Sequence, residues 1–105
     1  MQPIRQGDVI LLSIQPTVSQ AAPQELGKKL PHLTLAEGEV TGHSHRVSEG
    51  KAQLYEKNGT LYLQVLSDTA TLTHEEHKAI KIPQGNWMVR IQREYEPEGW
   101  RYVTD

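Results

Sequence analysis

The chain has 105 residues, the length of one domain, with 11 basic and 13 acidic side chains and a formal net charge of −2. Because it contains no cysteine, disulfides, thiolate catalysis and thiolate metal ligands are excluded. It lacks the basic block that drives phosphate binding, so we expect no nucleic-acid partner. No apolar run approaches the ~20 residues of a membrane-spanning helix, and the start of the chain lacks the apolar region of a signal peptide. We therefore expect a single cytoplasmic domain over residues 1–105, with no membrane partner.

In chain order, the first predicted element is a buried strand over the apolar run 9–14, which follows a Gly-Asp pair. Residues 15–31 are rich in proline, glutamine and alanine, a composition that indicates a surface loop. Asn58 and Gly59 separate two strand-like runs, and this pair predicts a hairpin with a type I′ turn.

The remaining turn-like segments and alternating segments also predict short strands. Residues 48–51 and 83–86 have the composition of turns, and apolar residues alternate with polar ones over 69–73 and 87–91. This spacing gives about eight strands, and no amphipathic helix is visible. The sequence therefore predicts an all-β fold, a small barrel or sandwich.

Four of the five histidines occur in two pairs, the first being His43 and His45. Residues two apart on a strand share a face, and their Cα atoms lie roughly 6.5 Å apart, so two such imidazoles can converge on one ion. Glu39 falls on the same predicted face and is a further possible ligand. The pattern predicts that this face of the strand binds a metal ion.

The second pair is His74 and His77, which flank Glu75 and Glu76. If the alternation of residues 69–73 places its apolar side chains in the core, it carries His74 inward as well. His77 follows three residues later, so a tight turn brings both imidazoles together. The two pairs form one site only if their segments are neighbours in the fold, which the sequence does not show.

Part of the chain resembles the cupin family. A glycine, a His-x-His pair and a following glutamate occur in the cupin order as Gly38, His43, His45 and Glu49, and residues 83–85 resemble the Pro-x-Gly of the second cupin motif. The resemblance implies a cupin-like barrel with His43, His45 and Glu49 as metal ligands. Met88 stands where the third histidine ligand of cupins is expected.

Three strings, over residues 36–45, 72–77 and 92–95, are also similar to those of small uncharacterised bacterial and phage-associated proteins. This second resemblance covers most of the chain and implies no chemistry.

The leading functional hypothesis is a divalent metal site that supports hydrolysis or oxygen chemistry. Zinc, iron, manganese and nickel all accept imidazole and carboxylate ligands. The expected ligands are His43, His45, His74 and His77, with Glu39 and Glu49 as possible additions. Candidates for catalytic roles are Glu75, Arg93 and Tyr95.

Two other hypotheses remain open. The first is metal-free acid–base catalysis on a phosphodiester by clustered histidines, with Arg46 or Arg93 stabilising charge. The second is a non-enzymatic regulatory or structural module that forms homo-oligomers through strand edges. A small-molecule ligand is compatible with each of them, and His32 is interpreted as a loop residue.

Overall fold

The computed structural model describes residues 2–14, 27–38, 42–96 and 99–102, with side chains up to residue 92. This part of the chain forms ten strands and no helix, so the predicted all-β class is confirmed. The strands are β1 (Ile4–Gln6), β2 (Val9–Ile14), β3 (Lys28–Lys29), β4 (Thr34–Glu37), β5 (Ser44–Glu49), β6 (Ala52–Lys57), β7 (Thr60–Thr73), β8 (Ile80–Ile91), β9 (Arg93–Glu96) and β10 (Gly99–Tyr102). In the same residues, no helix is present that could cross a membrane.

Eight strands form one antiparallel sheet in the order β1-β2-β8-β7-β5-β4, and β6 pairs with both β7 and β3. A separate hairpin consists of β9 and β10. The expected barrel is wrong, because no ladder among the described residues joins the outer strands β1 and β4. These outer strands are only three and four residues long. The fold is therefore one open sheet.

The predicted turn at Asn58-Gly59 and the predicted loop over residues 15–31 have different outcomes. The Asn58-Gly59 turn is confirmed: both residues have positive φ, +52° and +80°, and they connect β6 to β7. The expected loop over 15–31 is wrong at its end, because Lys28 and Lys29 form β3 and pair with β6. Residues 15–26 of that loop lie outside the described residues.

The strands β5 and β6 lie end to end along the same edge of β7, so the chain does not reverse at residues 48–51. It bends instead at Gly50, whose φ is +93°. Residues 66–68 of β7 bulge at this point, opposite Gln84 of β8. Residues 83–86 therefore belong to β8 and are not a turn. Pro83 and Gly85 are tolerated in β8 because the hydrogen-bond ladder between β7 and β8 is interrupted at the bulge.

The long β7–β8 ribbon folds back on itself at this bulge. Gln6 pairs with Val9, and Val9 pairs with Ile91 at one end of β8, while Leu72 pairs with Ile80 at the other end. A straight strand of this length would separate the two ends by roughly 36 Å. Yet the Gln6 side-chain amide donates to the Leu72 carbonyl at 3.0 Å. The bend therefore brings both ends of the sheet together.

The main hydrophobic core lies inside this bend, and a second, smaller cluster forms around Tyr55. The main core confirms the predicted inward alternation of Ala70 with Leu72 and of Trp87 with Val89. The buried core residues are Val9, Leu11, Leu35, Val47, Leu54, Leu63, Val65, Ala70, Leu72, Ile82, Trp87 and Val89. The buried polar residues of the described part lie elsewhere, where the two ends of the sheet meet: Gln6, Asp8, His45 and His74.

Candidate metal centre

The pairing of β5 with β7 places the two histidine pairs side by side. Val47 pairs with Leu72, so His45 and His74 continue the same inward faces of neighbouring strands. Both histidines are buried, with His45 0% and His74 8% exposed. The strand that carries the first pair is therefore a neighbour of the segment that carries the second.

The four imidazoles form a single group, which we call the histidine cluster: His43, His45, His74 and His77. The His74 ring is central, with its centroid 4.2 Å from that of His45, 4.6 Å from His77 and 5.5 Å from His43. The centroids of His45 and His77 are 5.9 Å apart. His43 and His77 are half-buried and form the outer side of the cluster.

The orientation of Gln6 decides which nitrogen of His45 carries a proton. The Gln6 Nε2 group donates to the carbonyls of Leu72 at 3.0 Å and Lys78 at 2.8 Å, so its Oε1 atom faces the other way. That oxygen lies 2.9 Å from His45 Nδ1. Because an amide oxygen only accepts, Nδ1 is the donor and carries a proton. The lone pair of a neutral His45 ring is therefore on Nε2.

His45 Nε2 faces the carboxylate of Asp8, with 3.2 Å between Nε2 and Oδ1. Both residues are buried, and Asp8 is only 6% exposed. A lone pair and a carboxylate oxygen repel each other at this distance, and burial makes that repulsion costly. The ring nitrogen of His45 and the carboxylate of Asp8 therefore form a buried polar pair at the edge of the cluster.

Two glutamates form the solvent-facing rim of the cluster. The Ser44 backbone N–H donates to Glu75 Oε1 at 2.9 Å and holds the pKa of that carboxyl below its usual range, an effect reinforced by His43 and His74. Glu76 Oε1 lies 3.4 Å from His43 Nδ1, and the Glu76 backbone N–H donates to His74 Nδ1 at 3.0 Å. The rim thus carries negative charge beside the imidazoles.

The rings are packed against each other and do not surround a common point. His45 and His77 are nearly parallel, with an interplanar angle of 18°, and the rings of His45 and His74 meet at 33°. Within residues 2–14, 27–38 and 42–92, no group of three or more histidine, aspartate or glutamate side chains that could hold a metal ion is present. In these side-chain conformations the cluster is therefore not a preformed metal site.

The other predicted site residues lie elsewhere. Glu49 is exposed at the end of β5, roughly 13 Å along the strand from His45. His32 is also exposed, and its Nδ1 accepts the Thr34 backbone N–H at 3.2 Å. Glu39 lies outside the described residues, as do the side chains of Arg93 and Tyr95 in β9.

Sequence reasoning missed Gln6 and Asp8. Gln6 lies two residues after the half-buried Ile4, so strand alternation was the signal that places it inward. Asp8 shares with Gly7 the two-residue turn between β1 and β2, where Gly7 has a φ of +59°. No local sequence pattern connects either residue to His45. In the order of strands across the sheet, β5 with His45 is the fourth strand after β1, which carries Gln6.

Comparison with known proteins identifies the family of the chain but no function. A family model described as "Domain of unknown function (DUF8820)" matches residues 5–92, well over half of the chain. The matched range contains the whole histidine cluster together with Gln6 and Asp8. No curated protein and no solved structure matches the chain, and no comparison shows a relation to cupins.

Proposed function

Since the chain belongs to the DUF8820 family, whose description assigns no chemistry, we propose a function from the geometry of the site. The proposed function is binding of a divalent transition-metal ion, zinc or iron being the leading choices, through the histidine cluster. The observation that carries the proposal is the convergence of four imidazoles, two from residues 43–45 at the start of β5 and two from residues 74–77, with centroid separations of 4.2 to 5.9 Å.

These separations fit a metal site after rotation of the rings. An imidazole nitrogen binds zinc at ~2.1 Å, which puts the ring centroid roughly 3.2 Å from the ion. Two tetrahedral imidazole ligands then have centroids roughly 5 Å apart. The observed values of 4.2 to 5.9 Å lie on both sides of this figure, so the spacing of the rings is compatible with ligands of one ion once the rings are turned.

His45 already has the hydrogen-bond support of a metal ligand. Metal-binding histidines donate their second ring N–H to a nearby acceptor, and His45 Nδ1 does so to Gln6 Oε1 at 2.9 Å. His43 Nδ1 lies 3.4 Å from Glu76 Oε1, which is an ion-pair distance and not a hydrogen bond. In His45 the hydrogen bond to Gln6 makes Nε2 the nitrogen that would face an ion.

His74 would have to give up one hydrogen bond. Its Nδ1 accepts the Glu76 N–H, so ligation through Nε2 requires a proton on Nδ1 and loss of that bond. A hydrogen bond contributes about 1 kcal/mol net, whereas structural zinc sites gain on the order of 10 kcal/mol. The loss is small beside the gain, so this bond does not prevent His74 from becoming a ligand.

The outer side of the cluster gives a bound ion contact with solvent. His43 and His77 are half-buried and Glu75 is exposed. A site with three protein ligands keeps a position for water, which the ion activates for hydrolysis or oxygen chemistry. Glu75 is the exposed carboxylate beside this position, and the Ser44 N–H, which lowers its pKa, favours its ionised form.

Metal binding is tested by calorimetric titration of the metal-free protein with zinc, iron(II), manganese and nickel, and by elemental analysis. We expect one ion per chain. His43→Ala and His77→Ala remove half-buried rings and should lower the affinity by more than about 100-fold, because even outer-shell changes cost 10–100-fold. His32→Ala, an exposed histidine outside the cluster, should bind as the parent does. Absence of binding, or binding that both cluster variants retain, would contradict the proposal.

A further inference from the structure

A cavity of about 340 Å³ lies where the chain passes from β3 to β4, beside the start of β6. Residues 29–33 line one side of it, and Ala52 and Gln53 line the other. None of these residues belongs to the histidine cluster. Small-molecule sites in proteins have volumes of roughly 300–1,000 Å³, so the cavity is large enough for an organic ligand.

The bend between β5 and β6 creates this cavity. The Leu30 N–H donates to the Leu54 carbonyl at 2.8 Å, and the Val47 N–H donates to the Leu33 carbonyl at 3.0 Å. Between these two hydrogen bonds, the chain path from Leu30 to Leu33 is shorter than the path from Val47 to Leu54. Because the longer path bends at Gly50, whose φ is +93°, it leaves space beside the shorter one. The cavity is therefore part of the fold.

Part of the cavity wall is apolar. Leu30, Leu33 and Ala52 are half-buried and pack against the main hydrophobic core, so their positions are fixed from behind. Pro31 adds a further apolar surface. An apolar ligand body placed against this wall removes the remaining exposed surface of these side chains from water, which favours binding.

The polar side chains of the cavity are hydrogen-bond donors. Lys29 is an exposed cation. His32 Nδ1 accepts the Thr34 backbone N–H at 3.2 Å, so the proton of the neutral ring is on Nε2. Gln53 Oε1 accepts the Tyr55 hydroxyl, which leaves the Gln53 amide nitrogen as the donor end of that side chain. Among the described residues, no acidic side chain lines the cavity.

We propose that this cavity binds a small organic monocarboxylate with an apolar body. One lysine matches one negative charge, and the two neutral donors supply further hydrogen bonds to the carboxylate oxygens. The apolar wall receives the rest of the ligand. The site shares no residue with the histidine cluster, so it is independent of metal binding.

Calorimetric titration with octanoate tests this proposal, and octanamide serves as an uncharged probe of the same length. We expect octanoate to bind at least about tenfold more tightly than octanamide, because hydrogen bonds to a charged group are stronger than neutral ones. Inorganic phosphate has no apolar body and should bind more weakly than octanoate. Absence of octanoate binding, or equal affinities for octanoate and octanamide, would overturn the proposal.

Two neighbouring lysines of β3 provide a matched pair of variants. Lys29 lines the cavity, whereas Lys28 is equally exposed but does not line it. Lys29→Gln should lower the octanoate affinity by about tenfold, and Lys28→Gln should leave it unchanged. Equal losses in both variants would show that octanoate responds to the general charge of this edge and not to the cavity.

The position of the ligand is read from the backbone amide resonances of the parent protein. Octanoate should shift the ¹H–¹⁵N signals of Leu30, His32, Leu33 and Gln53, whereas the signals of His74 and His77 should stay in place. Shifts confined to residues outside the cavity would contradict the assignment. Zinc binding by the histidine cluster is decided by its own titration, so neither result depends on the other.

Discussion

Gln6 fixes the hydrogen-bond pattern of His45, because its own amide is held in one orientation by the carbonyls of Leu72 and Lys78. The sequence predicted that His43 and His45 share one strand face and that His74 lies inward, since strand alternation is local information. It did not predict the roles of Gln6 and Asp8, because their partners become neighbours only after the sheet bends. At the residue scale, the sequence therefore predicts which histidines belong to the site. It does not predict how their rings are oriented.

The rim carboxylate Glu75 provides a pH-dependent contribution to stability. Its pKa lies below the ordinary value of 4.5, first because the Ser44 N–H donates to it. A lowered pKa in the folded state stabilises the fold above that ordinary value, and this stabilisation is lost as the pH falls through the folded-state pKa. Glu75→Gln should therefore lower the melting temperature at pH 7, and this difference should shrink as the pH falls below 4.5.

Thermal unfolding of both proteins between pH 3 and pH 7 measures this difference. Glu49→Gln controls for the loss of one negative charge, because Glu49 is also exposed and lies on the same strand as Ser44. A difference between parent and Glu75→Gln that stays constant over this range would show that the Ser44–Glu75 contact does not favour the ionised carboxylate.

At the scale of elements, turn residues have two different uses in this chain. The Asn58-Gly59 pair forms the predicted hairpin because it lies between strands that pair directly with each other. Residues 48–51 and 83–86 have similar composition, but they form a bend and a bulge within strands that continue. Composition predicts where the ladder is interrupted. Whether the chain then reverses depends on pairing partners far away in sequence.

The bend at Gly50 should be more sensitive to substitution than the hairpin at Gly59. Both glycines have positive φ, +93° and +80°. A Cβ on Gly50 would lie 2.6 Å from the Thr69 carbonyl oxygen, whereas a Cβ on Gly59 meets nothing within 4 Å. Gly59→Ala should cost about 1 kcal/mol from backbone strain alone, and Gly50→Ala at least about 1 kcal/mol more.

Urea unfolding of the two alanine variants isolates the effect of the close approach, since both share the strain of positive φ. Equal losses of unfolding free energy would mean that the contact between Gly50 and Thr69 relaxes at little cost. The close packing of the β5–β6 bend against the β7 bulge would then not be a determinant of the fold.

On the scale of the whole molecule, the candidate site exists only because one sheet folds over. The hydrogen bond from Gln6 to Leu72 joins residues 66 positions apart, and that from Gln6 to Lys78 joins residues 72 apart. The sequence predicted the all-β class from short, regularly spaced apolar runs. The prediction of a barrel or sandwich left the closure of the sheet open. The alternation of apolar residues and the spacing of turns identify strands, but they do not show whether the outer strands pair with each other.

The central claim is that the histidine cluster binds a metal ion through ring nitrogens oriented by its neighbours. The most direct measurement is the ¹⁵N chemical shifts of all histidine rings in the metal-free protein and after one equivalent of zinc. We predict that ring-nitrogen resonances of the histidine cluster move on zinc binding, that His45 keeps its proton on Nδ1, and that His32 is unchanged. Unchanged cluster resonances, or shifts confined to His32, would contradict the account.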